Sequence, residues 1–268
     1  MSWNATGIMS SAGYLCETLM KYHIDFCGIS EHWLMESNSN FLSTINSHYK
    51  CITVVDKSCR FPYNRHTGIG GVAILWHEKH DRYVSVIQTD DDRIAGVQIS
   101  IAEGIYLFIF QVYLPCTNHS SEMYRYYIDQ LLDLWSMYSA LGTVIFTGDF
   151  NAKFVYSDQV RFKPRDRQFT QFLNDCNLVA IDTLPLCIGA KSTFVSYNKT
   201  SESLIDHICT PVEKQDCILK CEILDDHCLN VSTHRPIFCC INVQILKHHV
   251  VSIGAKSQTK KRVGMLSS

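Results

Sequence analysis

The residues best suited to chemistry lie in short stretches at the ends of apolar runs. The densest is Thr147-Gly148-Asp149-Phe150-Asn151-Ala152, directly after Val144-Ile145-Phe146. A carboxylate and an amide two positions apart, just past a strand end, can project the same way into a cleft, and the glycine lets the backbone turn or approach a ligand closely. Read alone, the same residues also spell a turn. Glu31 closes the run Cys27-Gly28-Ile29-Ser30, where a carboxylate suits a hard cation or caps a surface helix. Tyr113 ends Gln111-Val112 ahead of Leu114-Pro115, as a core ring or a hydroxyl donor. Asp206 sits inside Leu204-Ile205-Asp206-His207-Ile208. Burying an unpaired charge is expensive, so an acid there is paired or functional, whereas His207 beside it reads as a packed strand residue. His234, in Ser232-Thr233-His234-Arg235-Pro236, stands just before the last apolar run.

These groups need elements to position them. Apolar runs of strand length, rich in Val, Ile, Phe and Tyr, predict strands over 71–76, 83–87, 94–101, 105–113, 143–147, 178–181, 204–209 and 236–243. Three- and four-residue spacing predicts helices over 12–22, 120–139 and 166–175, with Leu15, Leu19 and Tyr22, then Tyr124 to Trp135, then Phe169, Phe172 and Leu173 on their apolar stripes. Strands that outnumber helices, with helices between blocks of strands, argue for a sheet-on-sheet core covered by helices.

Composition sets the bounds. The 268 residues are 46% hydrophobic and 19% charged, enough for a large core in one domain, placed at residues 1–246. The remainder, 247–268, loses periodicity and reads as a disordered basic tail with Lys260-Lys261-Arg262. No run of about 18 apolar residues predicts a membrane span. Met-Ser-Trp-Asn does not read as a secretory signal, so the expected location is intracellular, cytoplasmic or nuclear. Thirteen scattered cysteines without metal spacing then read as reduced thiols packed as small hydrophobes, with adjacent Cys239 and Cys240 on opposite strand faces. A net charge of −2 is not the footprint of a strong non-specific nucleic-acid binder. Any such contact falls to a local patch, for which Arg161, Lys163, Arg165 and Arg167 are the candidate; the same run also reads as a solvated loop. Arg93, in Asp90-Asp91-Asp92-Arg93-Ile94, reads as a structural ion-pair partner.

Taken in chain order, Trp3-Asn4, Glu31, Gly71-Val72-Ala73-Ile74-Leu75, Val112-Tyr113, Gly148-Asp149-Phe150-Asn151-Ala152, Thr193-Phe194, Ile205-Asp206-His207 and His234-Arg235-Pro236 resemble the endonuclease/exonuclease/phosphatase superfamily. Gly28-Ile29-Ser30-Glu31-His32-Trp33, Gln111-Val112-Tyr113-Leu114-Pro115 and Ser203-Leu204-Ile205-Asp206-His207-Ile208 are most similar to the abasic-site-like endonuclease domain of LINE-type retrotransposons. The resemblance implies an α/β (α+β) four-layer sandwich, two mostly antiparallel sheets face to face and flanked by helices, deoxyribonuclease I-like. It implies a metal-dependent phosphodiesterase that nicks one DNA strand, with a reverse transcriptase downstream. Glu31 and Asn4 would hold Mg²⁺ or Mn²⁺, and Asp149 would handle the proton of the attacking water or of the leaving oxygen. Asn151 and Tyr113 would donate to phosphoryl oxygens, and His234, held by Asp206, would complete the clamp. Thr193, Ser203, Arg161 and Lys163 are candidate contacts to the DNA phosphates.

The sequence departs from that pattern at Thr233, where the family carries an aspartate that helps hold metal, and at Thr6, an acid in some relatives. A clipped first strand adds to these. A catalytically impaired remnant is therefore the competing reading, and a phosphatase acting on a small phosphoester is the third.

Overall fold

The structure is a computed structural model and describes residues 1–57, 67–154, 163–244 and 246. One sheet has seven strands: β1 (Ser2–Asn4), β2 (Phe26–Ser30), β3 (Tyr49–Val54), β4 (Val72–His77), β10 (Cys187–Gly189), β14 (Ile218–Ile223) and β15 (Ile237–Ile241), in the order β10-β14-β15-β1-β2-β4-β3. The other has six: β5 (Val84–Ile87), β6 (Ile94–Ala102), β7 (Ile105–Tyr113), β8 (Gly142–Asp149), β9 (Leu178–Ala180) and β13 (Asp206–Pro211), in the order β5-β6-β7-β8-β13-β9. A separate hairpin joins β11 (Phe194–Val195) to β12 (Glu202–Ser203). Most pairings are antiparallel, but β1–β2, β7–β8 and β10–β14 are parallel, so both sheets are mixed.

The period of two along each strand divides the molecule into layers. On β4, Val72, Ile74 and Trp76 point between the sheets, while Ala73 and Leu75 point out toward α1 (Ala12–Lys21) and α2 (Phe41–Ile45). On β8, Ile145 faces the other sheet, while Val144 and Phe146 meet α3 (Ser121–Tyr138) and α4 (Pro164–Asp175). The result is helices, sheet, sheet, helices: the sandwich expected from the sequence. Each outer layer buries one amphipathic stripe, Leu15 and Leu19 on α1, Tyr124, Ile128 and Leu131 on α3, Phe169, Phe172 and Leu173 on α4.

A polar bridge crosses the otherwise apolar space between the sheets. Ser2 Oγ donates to Gln111 Oε1 (3.2 Å), Gln111 Nε2 donates to Ser30 Oγ (2.9 Å), and Ser30 Oγ donates to the Val112 carbonyl (3.0 Å). Gly28 is required there, because a Cβ on it would lie 1.8 Å from Gln111 Oε1. The bridge fixes the register of one sheet over the other one residue pair from the site described below. At the far end of the same space lies an apolar cavity of about 520 Å³ lined by Phe26, Ile74, Ile99, Leu107 and Ile145.

Some boundaries differ from the sequence reading. Residues 78–83 form a 3₁₀ helix, so β5 starts at Val84 rather than Tyr83. The strand read over 204–209 begins at Asp206 and runs to Pro211, which puts Asp206 at a strand end rather than within one. β2, β3, β14 and the short β10, β11 and β12 were not among the predicted strands; Lys50 on β3 and Lys220 and Glu222 on β14 break the apolar runs of those two. The tail at 247–268 lies outside the described residues, as does Arg161. No described helix is long and apolar enough to cross a membrane. The described cysteines are free thiols, with Cys239 turned toward the other sheet and Cys240 exposed, as the adjacent pair requires.

Candidate active site

Sheet register assembles the site. In the six-stranded sheet Tyr113 pairs with Asp149, and Asp149 pairs with Asp206. The three residues therefore lie side by side across β7, β8 and β13, all facing the opposite sheet. From that sheet Asn4 ends β1, Glu31 follows β2 directly, and His234 stands just ahead of β15. The five catalytic candidates and both metal candidates thus fall at one end of the space between the sheets, although they span more than 200 positions of chain.

Hydrogen bonds tie the two rows together. Asn4 Nδ2 donates to Glu31 Oε1 (2.8 Å) and to Asp149 Oδ2 (2.9 Å), so one amide braces two carboxylates. Its carbonyl oxygen accepts from the Thr6 backbone N–H (3.0 Å) and hydroxyl (3.2 Å), and is turned away from those carboxylates. Asp149 Oδ1 accepts from the Asn151 backbone N–H (2.9 Å), and Asn151 Nδ2 donates to the Leu114 carbonyl (2.9 Å). His234 Nδ1 donates to Asp206 Oδ2 at 2.8 Å, with the imidazole edge-on to Phe194. Asp206 Oδ1 is buried and has no hydrogen-bond partner. Trp33 Nε1 donates to Glu31 Oε2 (3.1 Å).

The backbone is strained where these groups turn inward. Thr6, Glu31, Trp33 and Asn151 all have φ between 45° and 55°, a region non-glycine residues rarely occupy. Gly148, at φ 140°, abuts β7 so closely that a Cβ would sit 2.0 Å from the Val112 carbonyl oxygen. That contact explains the glycine before Asp149: it lets β8 run against β7 up to its last residue.

The electrostatics follow from crowding. Burial, then the charge of Asp206, push Asp149 up to about 7, with Glu31 adding and His234 and Asn4 opposing. Burial alone would discharge His234, but the Asp206 carboxylate outweighs it and lifts the imidazole to about 9. Burial, with Glu31 and Asp149 nearby, raises the Tyr113 phenol, so it remains a proton donor. Three acids against one imidazolium leave a local excess of negative charge. Asp149, Asp206 and His234 place ligand atoms within 4.8 Å of one another, a grouping that could hold a metal ion once the imidazole is neutral. Glu31 and Asn4 flank that group rather than form it.

The other candidates are placed as follows. Thr193 is buried, and its hydroxyl accepts from the backbone N–H of Ile205 (3.2 Å) and of Asp206 (3.0 Å), which sets the start of β13. Ser203 is half-buried on β12 and lines a cavity of about 600 Å³ with Lys153, Lys191 and Ser192. Lys163 is exposed at the start of α4. Arg93, read as an ion-pair partner, stacks its guanidinium 4.9 Å from the Tyr113 ring centre and donates to the Tyr113 carbonyl (3.3 Å). His207 faces away from the site: its Nδ1 meets Asp182 (2.6 Å), its Nε2 meets the Ala152 carbonyl (2.9 Å), and its ring stacks on Phe169. Sequence reasoning missed Asp182, Gln111, the bracing by Thr6, and Ser232, whose hydroxyl donates to the Asn4 backbone carbonyl (2.7 Å). Only Asp182 carried a signal, as a second acid in an apolar run.

Two face-to-face mixed sheets with helices outside and this cluster at one mouth define a deoxyribonuclease I-like protein. Residues 107–238 match the endonuclease-reverse transcriptase family, and the chain as a whole resembles the endonuclease/exonuclease/phosphatase superfamily. Among solved structures it is similar to an AP endonuclease from Archaeoglobus fulgidus (TM-score 0.68, 16% identity, covering 90% of this chain and 98% of that one). It is also similar to the endonuclease domain of TRAS1, a telomere-specific non-LTR retrotransposon (TM-score 0.66, 16% identity, 91% and 97% covered). A third is the 3'-5' exonuclease NExo from Neisseria meningitidis (TM-score 0.64, 17% identity, 90% and 98% covered). No curated protein sequence matches the chain.

Proposed function

We propose that this chain is a divalent-metal-dependent DNA endonuclease that nicks one strand, acting as the nuclease part of a LINE-type retrotransposition machine, with residues 1–246 as the folded unit. The observation that carries this reading is the row Tyr113–Asp149–Asp206, closed from the opposite sheet by Asn4, Glu31 and His234. Support comes from the matched family and from a similar structure, the 3' phosphatase NExo from Neisseria bound to product DNA hairpin.

The donor set suits Mg²⁺ or Mn²⁺, which take oxygen ligands. The unpartnered Asp206 Oδ1 and the raised Asp149 are both groups that a cation would satisfy. Glu31 and Asp206 would hold the ion, with Asn4 braced against Glu31, and the ion would supply charge neutralisation at a phosphoryl oxygen. The chain's own groups do the rest. Asp149, buried beside Asp206 and held in place by Asn4 and Asn151, takes a proton from water or returns one to the leaving oxygen. The Tyr113 hydroxyl and the His234 imidazolium donate to the phosphoryl oxygens as charge develops. Asp206 keeps His234 charged and oriented, Thr193 positions Asp206, and Asn151 positions Asp149. Ser203, Arg161 and Lys163 are offered as contacts to the DNA backbone.

A specific observation favours a second reading, an impaired remnant: Thr233 supplies no carboxylate beside His234. A supercoiled-plasmid assay separates the two. With Mg²⁺ in the 10 mM range, well above the roughly millimolar affinity of a weak oxygen site, the native chain nicks. Asp149→Ala and His234→Ala each lose on the order of 10²-fold or more. A folded native chain that leaves the plasmid supercoiled in both Mg²⁺ and Mn²⁺ establishes the remnant.

A further inference from the structure

Away from the nuclease site, three thiols fall into one row of the seven-stranded sheet. Cys187 on β10 lies opposite Cys221 on β14, and Cys221 lies opposite Cys239 on β15. Register partners project to the same face, and here it is the face packed against the other sheet. Cys187 and its neighbour Cys221 differ in access. Cys187 is half-buried and lines the open cavity of about 600 Å³ that also holds Lys153 and Lys191. Cys221 is fully buried directly behind it. Hydrogen-bonded strands lie about 4.8 Å apart, inside the Cα range of roughly 4.4–6.8 Å over which a disulfide can form. The remaining adjustment, bringing the Cβ atoms to about 3.8 Å, falls on β10, a three-residue edge strand.

We propose that Cys187 and Cys221 are a peroxide-reactive dithiol that closes to a cross-strand disulfide between β10 and β14. In the first step Cys187 gives up its proton and its sulfur attacks one oxygen of hydrogen peroxide. The O–O bond breaks, Cys187 becomes a sulfenic acid, and the departing hydroxide takes the proton to form water. In the second step the Cys221 sulfur attacks the Cys187 sulfur, the S–O bond breaks, and the hydroxyl leaves with the Cys221 proton as a second water. Two thiols are oxidised by two electrons in total and one peroxide is reduced to two waters. The order of events follows from access and acidity. A hydrogen bond from Cys221 holds the Cys187 thiol below its ordinary value, while the same bond and burial raise Cys221. The half-buried sulfur is thus the better nucleophile, and the buried one can only resolve. Closure pins the strand that runs on through Ala190 and Lys191 to Thr193, whose hydroxyl seats Asp206.

The test is peptide mapping of the intact chain after brief exposure to hydrogen peroxide, alkylation of remaining thiols and digestion without reductant. The expected result is a linked peptide pair joining Cys187 to Cys221, two hydrogens lighter than the free pair. In the Cys221→Ser protein, Cys187 should instead accumulate as a sulfenic acid that dimedone captures, at several times the level in the native chain. Circular dichroism on that variant establishes that it folds, and the native-chain map stands without it. The proposal is overturned if Cys221 is joined to Cys239 instead. It is also overturned if Cys187 is unmodified, or if it is oxidised in the native chain with Cys221 still alkylatable after unfolding.

Discussion

Replacing Asp149 by asparagine should change how stability depends on pH more than it changes stability itself. In the folded protein Asp149 is held at about 7, against an ordinary value of 3.8, by burial and by the neighbouring Asp206 charge. The folded state therefore binds a proton on this group over a range where the unfolded chain has lost it. Its contribution is full below pH ~4, and it is lost as pH rises through about 7. A rise of about three units at 1.36 kcal/mol each amounts to about 4 kcal/mol between the two limits. Asparagine has no proton to lose, so the variant lacks this slope. Its amide would meet the Asn4 Nδ2 donor that now bonds Asp149 Oδ2, a mismatch that shifts the offset between the two proteins but not its pH dependence. His234 is raised to about 9, in part by the Asp149 charge itself, so its stabilisation is full below ~6.5 and lost through about 9, and it cancels in the comparison only below ~6.5. The assay is urea unfolding of both proteins in chelator, at half-unit steps from pH 4 to 8. The native-minus-variant difference should fall by about 4 kcal/mol across that range. A difference flat to within about 1 kcal/mol would refute the crowded-carboxylate account.

Three further outcomes follow from the same structure. Thr233→Asp adds a carboxylate beside His234, and the Mg²⁺ concentration for half-maximal stabilisation in thermal melts should drop by roughly 10-fold, as ligand charge dictates; no drop means position 233 does not face the ion. Asp182→Ala leaves the buried His207 ring without its carboxylate and should cost about 3–5 kcal/mol in urea unfolding, whereas a loss below about 1 kcal/mol would show that the pair does not hold the turn after β9 to β13. Tyr197, 97% exposed at the turn of the β11–β12 hairpin, contributes nothing visible to the core. Its replacement by alanine should leave unfolding within about 0.5 kcal/mol, yet weaken DNA binding by roughly 5-fold or more if the ring stacks on a base; equal affinity removes the hairpin from the interface.

The catalytic candidates were legible because each sits where a strand pattern stops. Asp149, Tyr113 and Glu31 end apolar runs; the period of two turns Asp149 and Tyr113 inward, and a left-handed turn just past β2 places Glu31. The helices over 12–22, 120–139 and 166–175 were legible for the matching reason: one unbroken apolar stripe each. What was hidden depends on pairs distant in sequence. Neither Asn4 bracing Glu31 and Asp149, nor Gln111 meeting Ser2 and Ser30, can be read from either partner alone. Thr193 shows the difficulty best. Its hydroxyl invites a role at the substrate, and its geometry instead spends the oxygen on two backbone N–H groups that seat Asp206. β3 and β14 escaped because a strand covered on one side carries charged residues on the other, which blurs the apolar run.

The crowded end of the sandwich makes sense as a balance between two kinds of polar group. Gln111, Ser2 and Ser30 are neutral and paired to one another, so they bind sheet to sheet without a lasting electrostatic penalty. One register step further on, Asp149, Asp206 and Glu31 press together with a single imidazolium among them and one carboxylate oxygen left unmatched. Such a cluster opposes folding unless something positive arrives, whether a proton on Asp149 or a divalent ion. The strained turns at Thr6, Glu31, Trp33 and Asn151 add to the opposing side. The neutral bridge lets the remaining layers hold that end closed, because it ties the two sheets beside the groups that would push them apart. A cation bound at such a site would draw on whatever repulsion the fold has contained, and the pH slope set by Asp149 measures that repulsion before any ion or DNA is added.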